Sequence, residues 1–391
     1  MIPYGRHSID ESDIQAVVDV LRSGFLTQGP HIDAFEKAVA EYTGAKYAVA
    51  VSSGTAGLHL AALAAGVGPG KSLVTSPITF VASANAGIYA GGSVHFADID
   101  PETINMSPES LRQVLEREKN VQAVVPVHFA GLPCDMTSIR AIADEFGAKV
   151  IEDAAHALGA TYEDGSRVGC SRYSDMTIFS FHPVKAIAAG EGGMITTNDE
   201  TIYRKLLRLR SHGINKADDS FLLEREAFDE DRLQNPWYYE MQELGFHYRI
   251  TDIQCGLALS QFKRLPSFIA RRHELALQYD QALADLNWLR PAQTAGRSQS
   301  GHHLYVVRVD FQKLGKTRGA VMRDLRANGI VCQVHYIPVP LQPFYQNQGF
   351  HLEHYPEAAR YYREALSIPL YYDLSDSEQN LVIESLKALL G

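Results

Sequence analysis

A chain of 391 residues, 46% hydrophobic and 21% charged, is long enough for two folded units and too apolar for disorder. Its net charge of −10 argues against nucleic acid as a partner, because a polyanion binder carries a basic excess. Cys134, Cys170, Cys255 and Cys332 form no CxxC pair, so neither a disulfide framework nor a structural zinc site is expected, and no other metal site is indicated.

The start of the chain is polar and charged, so no signal peptide is expected. The longest apolar stretch, Leu58–Gly68, is interrupted by His59 and too short to span a bilayer. A cytoplasmic protein without membrane contact is the expectation. Ile9–Ser23 has the spacing of an amphipathic helix, with Ile9, Ile14, Val17, Val18 and Leu21 on one face. Gly24, Gly29 and Pro30 mark a loop, and a second helix follows over Ala34–Tyr42.

An alternation then begins. Apolar runs at Tyr47–Val51, Leu73–Ser76, Val94–Ala97, Val121–Val127 and Lys149–Glu152 alternate with helical stretches ending near Ala65, Tyr89, Glu118 and Phe146. Short apolar runs between helices predict parallel βαβ units covered on both faces. Met176–Phe181 and Met194–Thr197 are two further strands around the turn Gly190-Glu191-Gly192-Gly193. Residues 214–248, with Asp218, Asp219, Trp237, Tyr238 and Tyr239, read as an irregular surface excursion. A long helix over Thr251–Asp285 connects to strand Tyr305–Val309, helix Gly319–Asn328, strand Val331–Tyr336 and further helices. The prediction is an α/β fold: a large, mainly parallel sheet domain over 1–250, then a connecting helix and a small C-terminal α+β domain over 251–391.

Four features stand at successive strand ends. Lys185 follows Phe179-Ser180-Phe181-His182-Pro183-Val184, where Pro183 stops the strand. Burial there would lower its pKa and make a neutral amine for attack on an aldehyde. Glu152-Asp153-Ala154-Ala155-His156 ends another run, and a carboxylate there can pair with a protonated pyridine nitrogen. Ser52-Ser53-Gly54-Thr55-Ala56 opens a helix, where small residues and N–H groups suit a phosphate. Phe80 can stack on a flat ring. Taken singly these are a solvated lysine, a helix cap, an N-cap and a core aromatic. Together they match the phosphate, ring face, ring nitrogen and aldehyde of pyridoxal 5′-phosphate (PLP). The GxGxxG and P-loop spacings are absent, which disfavours a nicotinamide or ATP site.

These motifs carry a resemblance over essentially the whole chain. With Phe25-Leu26-Thr27-Gln28-Gly29-Pro30, Val125-Pro126-Val127-His128-Phe129-Ala130-Gly131, Asp135-Met136, Tyr248-Arg249, Asp252-Ile253-Gln254 and His335-Tyr336, the sequence resembles the DegT/DnrJ/EryC1/StrS sugar aminotransferases. These are fold-type-I PLP-dependent transferases. The resemblance implies that Lys185 binds the cofactor aldehyde and shuttles the proton. It implies that Asp153 pairs with the ring nitrogen, that Phe80 covers the ring, and that Ser53, Gly54, Thr55 and Ser180 hold the phosphate. His156 would contact the phenolic-oxygen side. His247 stands where the family has an asparagine that reaches across a homodimer with shared active sites. Relatives that dehydrate sugars have histidine in place of the lysine, so Lys185 favours transamination.

The opening Ile2-Pro3-Tyr4-Gly5-Arg6 and the His-Pro-Val-Lys motif resemble most the branch serving pseudaminic acid biosynthesis. That branch moves the amino group of L-glutamate to C4 of a UDP-4-keto-6-deoxy-N-acetylhexosamine. Tyr4, Thr27, His182 and His335 are the substrate-side candidates. The alternatives are another nucleotide-linked keto sugar, such as a 4-keto-pentose or 3-keto sugar, and a non-catalytic PLP-binding regulator.

Overall fold

Short runs such as Tyr47-Ala-Val-Ala-Val51 are buried on both sides, so each strand must sit between two helical layers. In the computed structural model, which describes residues 1–216 and 221–390, seven of them form one sheet. The strands are β1 (Tyr47–Val51), β2 (Ser72–Thr75), β3 (Ser93–Phe96), β4 (Val121–Val125), β5 (Lys149–Asp153), β6 (Met176–Ser180) and β7 (Gly193–Thr197), in the order β1-β7-β6-β5-β4-β2-β3. Only β7 runs antiparallel to its neighbours. The period of two divides the strand residues between two cores. Ala48, Ala50, Val124 and Val150 pack on one face, and Val49, Val51, Ala123, Val125 and Ile151 on the other.

Helices α1 (Glu11–Arg22), α2 (Pro30–Thr43), α3 (Gly54–Ala64), α4 (Ala82–Tyr89), α5 (Pro108–Arg117) and α6 (Met136–Glu145) punctuate the first half of the chain. Helix α1 is turned differently from its apolar pattern. Ile9, Ile14 and Leu21 are 41%, 48% and 55% exposed, while Asp13 and Val20 face inward. The reason is polar: Asp13 accepts from Gln261 at 2.5 Å and Arg264 at 2.9 Å, and Val20 packs on Gly256, where a Cβ would stand 2.6 Å from its Cγ2.

The predicted single helix over 251–285 is two helices, Asp252–Lys263 and Leu265–Ala282. Pro266 lacks the N–H that would continue the first ladder, so the chain restarts there. A three-stranded antiparallel sheet follows, made of Leu289–Pro291, Tyr305–Val309 and Ala365–Ile368. Its core includes Ile2, Leu275, Tyr279 and Leu386, so the start of the chain packs with the end.

Residues 331–336 do not form the predicted strand. Val331 donates to Ile2, Gln333 exchanges two bonds with Ser367, and the chain then turns His335 and Tyr336 towards a cavity. The excursion at 214–248 is irregular, with a two-residue pairing (Ile214–Asn215 with Glu240–Met241) and a short helix at Glu224–Ala227. Asp218 and Asp219 lie outside the described residues. No helix among the described residues is long and apolar enough to cross a membrane.

Candidate active site

A cavity of about 400 Å³ opens where the parallel strands end, as expected for an α/β sheet with a change of strand order. Ser53, Gly54 and Thr55 reach it from β1 and α3, Phe80 from the turn after β2, Asp153 and His156 from β5, and Ser180, His182 and Lys185 from β6. Tyr4 and His335 complete the predicted residues along its wall.

The β1–α3 turn is built for close approach. Ser53 caps α3, its Oγ accepting the Ala56 N–H at 3.1 Å. The Gly54 and Thr55 N–H groups lie in the first turn and have no intrahelical acceptor. A Cβ on Gly54 would stand 3.0 Å from Ser180 Cβ, and one on Gly193 would stand 2.6 Å from the Ser53 carbonyl. Hydroxyls from Ser53, Thr55 and Ser180 therefore converge with free N–H donors, a set suited to a phosphate.

Lys185 sits in a loop tied at its base. Phe181 donates to Gly192 and accepts from Ala189, and its fully buried ring packs on Phe35 at 5.0 Å. The Lys185 N–H donates to His182 at 2.8 Å. Burial lowers the Lys185 amine to about 8, against the opposing pull of Asp153. Asp153 is fixed by Ser83, whose Oγ donates to Oδ2 at 2.6 Å, and by the Ala155 N–H at 3.1 Å on Oδ1.

Three buried imidazoles flank the lysine. His156 and His303 are held well below the usual histidine range by burial, helped by the charge of Lys185. His335 is lowered to about 3 for the same reasons. His156 Nε2 shares a 2.9 Å hydrogen bond with the Tyr336 hydroxyl, and its ring lies 4.3 Å from that of His303. Phe80 is 59% exposed and tilts towards Tyr336 at 6.3 Å.

Ser83, His303 and Tyr336 were not among the predicted site residues. Only Tyr336 had a signal, its place in the His335-Tyr336 motif; Ser83 is one of many small residues on α4. Two predicted residues lie away from the cavity. Thr27 is exposed in the loop before α2. His247 is exposed, pairs with Ser211 through the backbone and stacks on His212 at 5.3 Å.

The residues fit PLP on structural grounds. The amine has a depressed pKa, a fixed carboxylate shares its cavity, and Gly54 and Gly193 let the helix N-terminus pack closely against Ser180 and Ser53 at the cavity wall. His156 Nδ1 is buried without a partner.

Comparison with known proteins agrees. The sequence profile described as the DegT/DnrJ/EryC1/StrS aminotransferase family matches residues 7–387. The spore coat polysaccharide biosynthesis protein SpsC of Bacillus subtilis (strain 168) is 40% identical over 391 residues, covering 100% of this chain and 97% of SpsC. Spr1654 from Streptococcus pneumoniae has been solved in PMP and PLP forms. The PMP form is 29% identical with a TM-score of 0.88, covering 100% of this chain and 99% of that one. Helicobacter pylori PseC, an aminotransferase involved in the biosynthesis of pseudoaminic acid, is 28% identical with a TM-score of 0.87 over 100% of this chain and 99% of its own.

Proposed function

The chain belongs to the DegT/DnrJ/EryC1/StrS aminotransferase family and is a PLP-dependent sugar aminotransferase, and from that premise we propose that it aminates C4 of a UDP-4-keto-6-deoxy-N-acetylhexosamine with L-glutamate as donor. The reaction would serve pseudaminic acid biosynthesis. The likeness to PseC over the full chain supports this substrate. The observation that carries the chemistry is the meeting of Lys185, Asp153 and the Ser53–Thr55 turn in one cavity.

When bound, PLP supplies an electron sink that carries nitrogen from donor to acceptor. Lys185 would hold the cofactor at its aldehyde carbon. The buried Lys185 amine, lowered to about 8 in the cofactor-free chain, is the group that would take the proton from the donor Cα and deliver one to C4 of the sugar. Asp153 keeps the ring nitrogen protonated, and Ser83 keeps that carboxylate oriented. Ser53, Gly54, Thr55 and Ser180 hold the phosphate, Phe80 covers the ring, and His156, neutral and tied to Tyr336, serves the phenolic-oxygen side. Tyr4, His182 and His335 form the substrate-side wall.

We assign the working enzyme as a homodimer in the cytoplasm. Among the described residues the cavity lining contains no arginine, and we propose that the partner chain contributes to holding the substrate diphosphate. We propose that His247, which lies outside its own chain's cavity, acts in the partner's.

The 40% identity to a spore coat polysaccharide protein favours a second reading, in which the reaction is the same and the nucleotide-linked keto sugar differs. The test is the visible absorbance of the protein with PLP, before and after L-glutamate, followed by mass analysis of the product from candidate UDP-keto sugars. A yellow form bleached by glutamate, and a product with one added amino group at C4, are expected. A yellow protein indifferent to L-glutamate would refute the donor, and no yellow form would refute the role of Lys185.

A further inference from the structure

The run Val125–Gly131 borders the cavity, yet only Val127 lines it. Strands β4 and β5 pair through Ala123 with Lys149 and Val124 with Val150, and again at Val127 with Asp153. Between these points stands Pro126, which has no N–H to give. The ladder therefore loses one bond just before β5 presents Glu152 and Asp153. It resumes at Asp153, whose N–H donates to Pro126 at 2.9 Å and whose carbonyl accepts the His128 N–H at 3.1 Å.

On the opposite face from Asp153 a side-chain brace crosses the same gap. Glu152 Oε2 accepts from His128 Nε2 at 2.7 Å and from the Tyr162 hydroxyl at 2.5 Å. Its Oε1 accepts from Ser174 at 2.5 Å and Thr177 at 3.0 Å. Glu152 and His128 are both fully buried. His128 Nδ1 accepts the Cys134 N–H at 3.1 Å, which orients Nε2–H towards Glu152, and, against its burial, the donors around Glu152 hold its carboxyl below the usual range.

The brace thus joins the segment after β4, through His128, to β6, through Thr177, on either side of β5. The loop beyond His128 also seats the His303 segment: His303 donates to Ala130 at 2.9 Å and Gly301 to Gly131 at 3.0 Å. A buried charged network is a poor source of stability, since apolar packing often does as well. What this one supplies is geometry at the strand ends.

We propose that Glu152 and His128 form a positioning pair that acts through the β5 main chain to hold the Asp153 carboxylate in register with the cofactor's ring nitrogen. The proposal rests on the reading of Asp153 given under Proposed function.

The test uses PLP-loaded enzyme and L-glutamate as the probe. It measures the limiting rate of bleaching, the half-saturating glutamate concentration, and the pH titration of the bound cofactor's absorbance. E152Q should lower the rate about tenfold, the scale on which supporting hydrogen-bond partners act around metal ligands. It should leave half-saturation unchanged and move the absorbance titration in the same direction as D153N. In a D153N background E152Q should cost nothing further, because a residue acting through Asp153 has nothing left to act on.

T177V removes one of the donors while keeping the side-chain shape. It should show a smaller effect of the same pattern, and it carries the comparison if E152Q does not fold. Losses that multiply in the double variant, or a titration that stays put, would overturn the pair's role while leaving Asp153 intact. A fully active D153N would refute the reading of Asp153 itself.

Discussion

Replacing Lys185 by methionine should stabilise the cofactor-free protein while abolishing turnover. The amine falls from its ordinary 10.5 to about 8 because the fold buries it. That drop corresponds to about 3 kcal/mol of penalty on the charged form. Lys185 lines an open cavity and keeps some exposure, so screening reduces the figure to about 2 kcal/mol. Below pH 8 the amine is protonated in both folded and unfolded chains, and the folded state bears the whole penalty. Between 8 and 10.5 the unfolded chain binds more protons, so the wild type gains stability as pH rises. The variant should therefore melt higher at pH 7, by about 2–3 °C for a chain of this length, and the gap should close towards pH 10.5. Calorimetry of both apo-proteins at several pH values measures this. Equal melting at pH 7, or a gap that widens with pH, would refute the burial argument.

G193A should weaken PLP binding by about tenfold or more, since a Cβ 2.6 Å from the Ser53 carbonyl must displace the phosphate turn and such overpacking costs about 1–3 kcal/mol; absorbance titration with PLP checks it. Y336F removes the hydrogen bond to His156, worth about 1 kcal/mol, and should slow glutamate bleaching about fivefold with little change in melting temperature. R272M should destabilise the fold by about 2–4 kcal/mol, read by denaturant unfolding, because the buried Arg272 donates to the carbonyls of His302, His303 and Leu370 and methionine would leave all three unpaired.

The large sheet was legible because its strands are short apolar runs, several of them closed by Ser or Pro (β1, β2, β4 and β6), and parallel strands buried on both faces leave that pattern whatever their neighbours. Lys185 and Asp153 were legible for a related reason: polar residues that end apolar runs fall at a sheet edge. Helix α1 misled because a buried carboxylate, Asp13, outweighed the apolar stripe once Arg264 and Gln261 lay opposite it. Segment 331–336 has strand-like composition, but its pairing is limited to one residue opposite Ser367. Ser83 and His303 were illegible because their importance comes from contacts with Asp153 and His156, 70 and 147 positions away in the chain, which no local spacing encodes.

The site's electrostatics also bear on assembly. The imidazoles of His156, His303 and His335 are held neutral by burial beside Lys185, so they can exchange hydrogen bonds but cannot balance a diphosphate. The N–H groups at the start of α3 are the donors proposed for the cofactor's phosphate. Elsewhere on the same chain a second cleft gathers Arg204, Arg208, Arg210, Lys216 and Arg249. Most of that charge is balanced locally, Arg204 by Glu200, Arg208 by Glu243 and Arg210 by Glu36, while Arg249 directly follows Tyr248, whose carbonyl accepts the Ser52 N–H at the edge of the phosphate turn. The proposed homodimer would let the partner supply cations to the diphosphate of the proposed substrate. Sedimentation of the active enzyme decides it: a fully active monomer would show that one chain supplies all the charge its substrate needs.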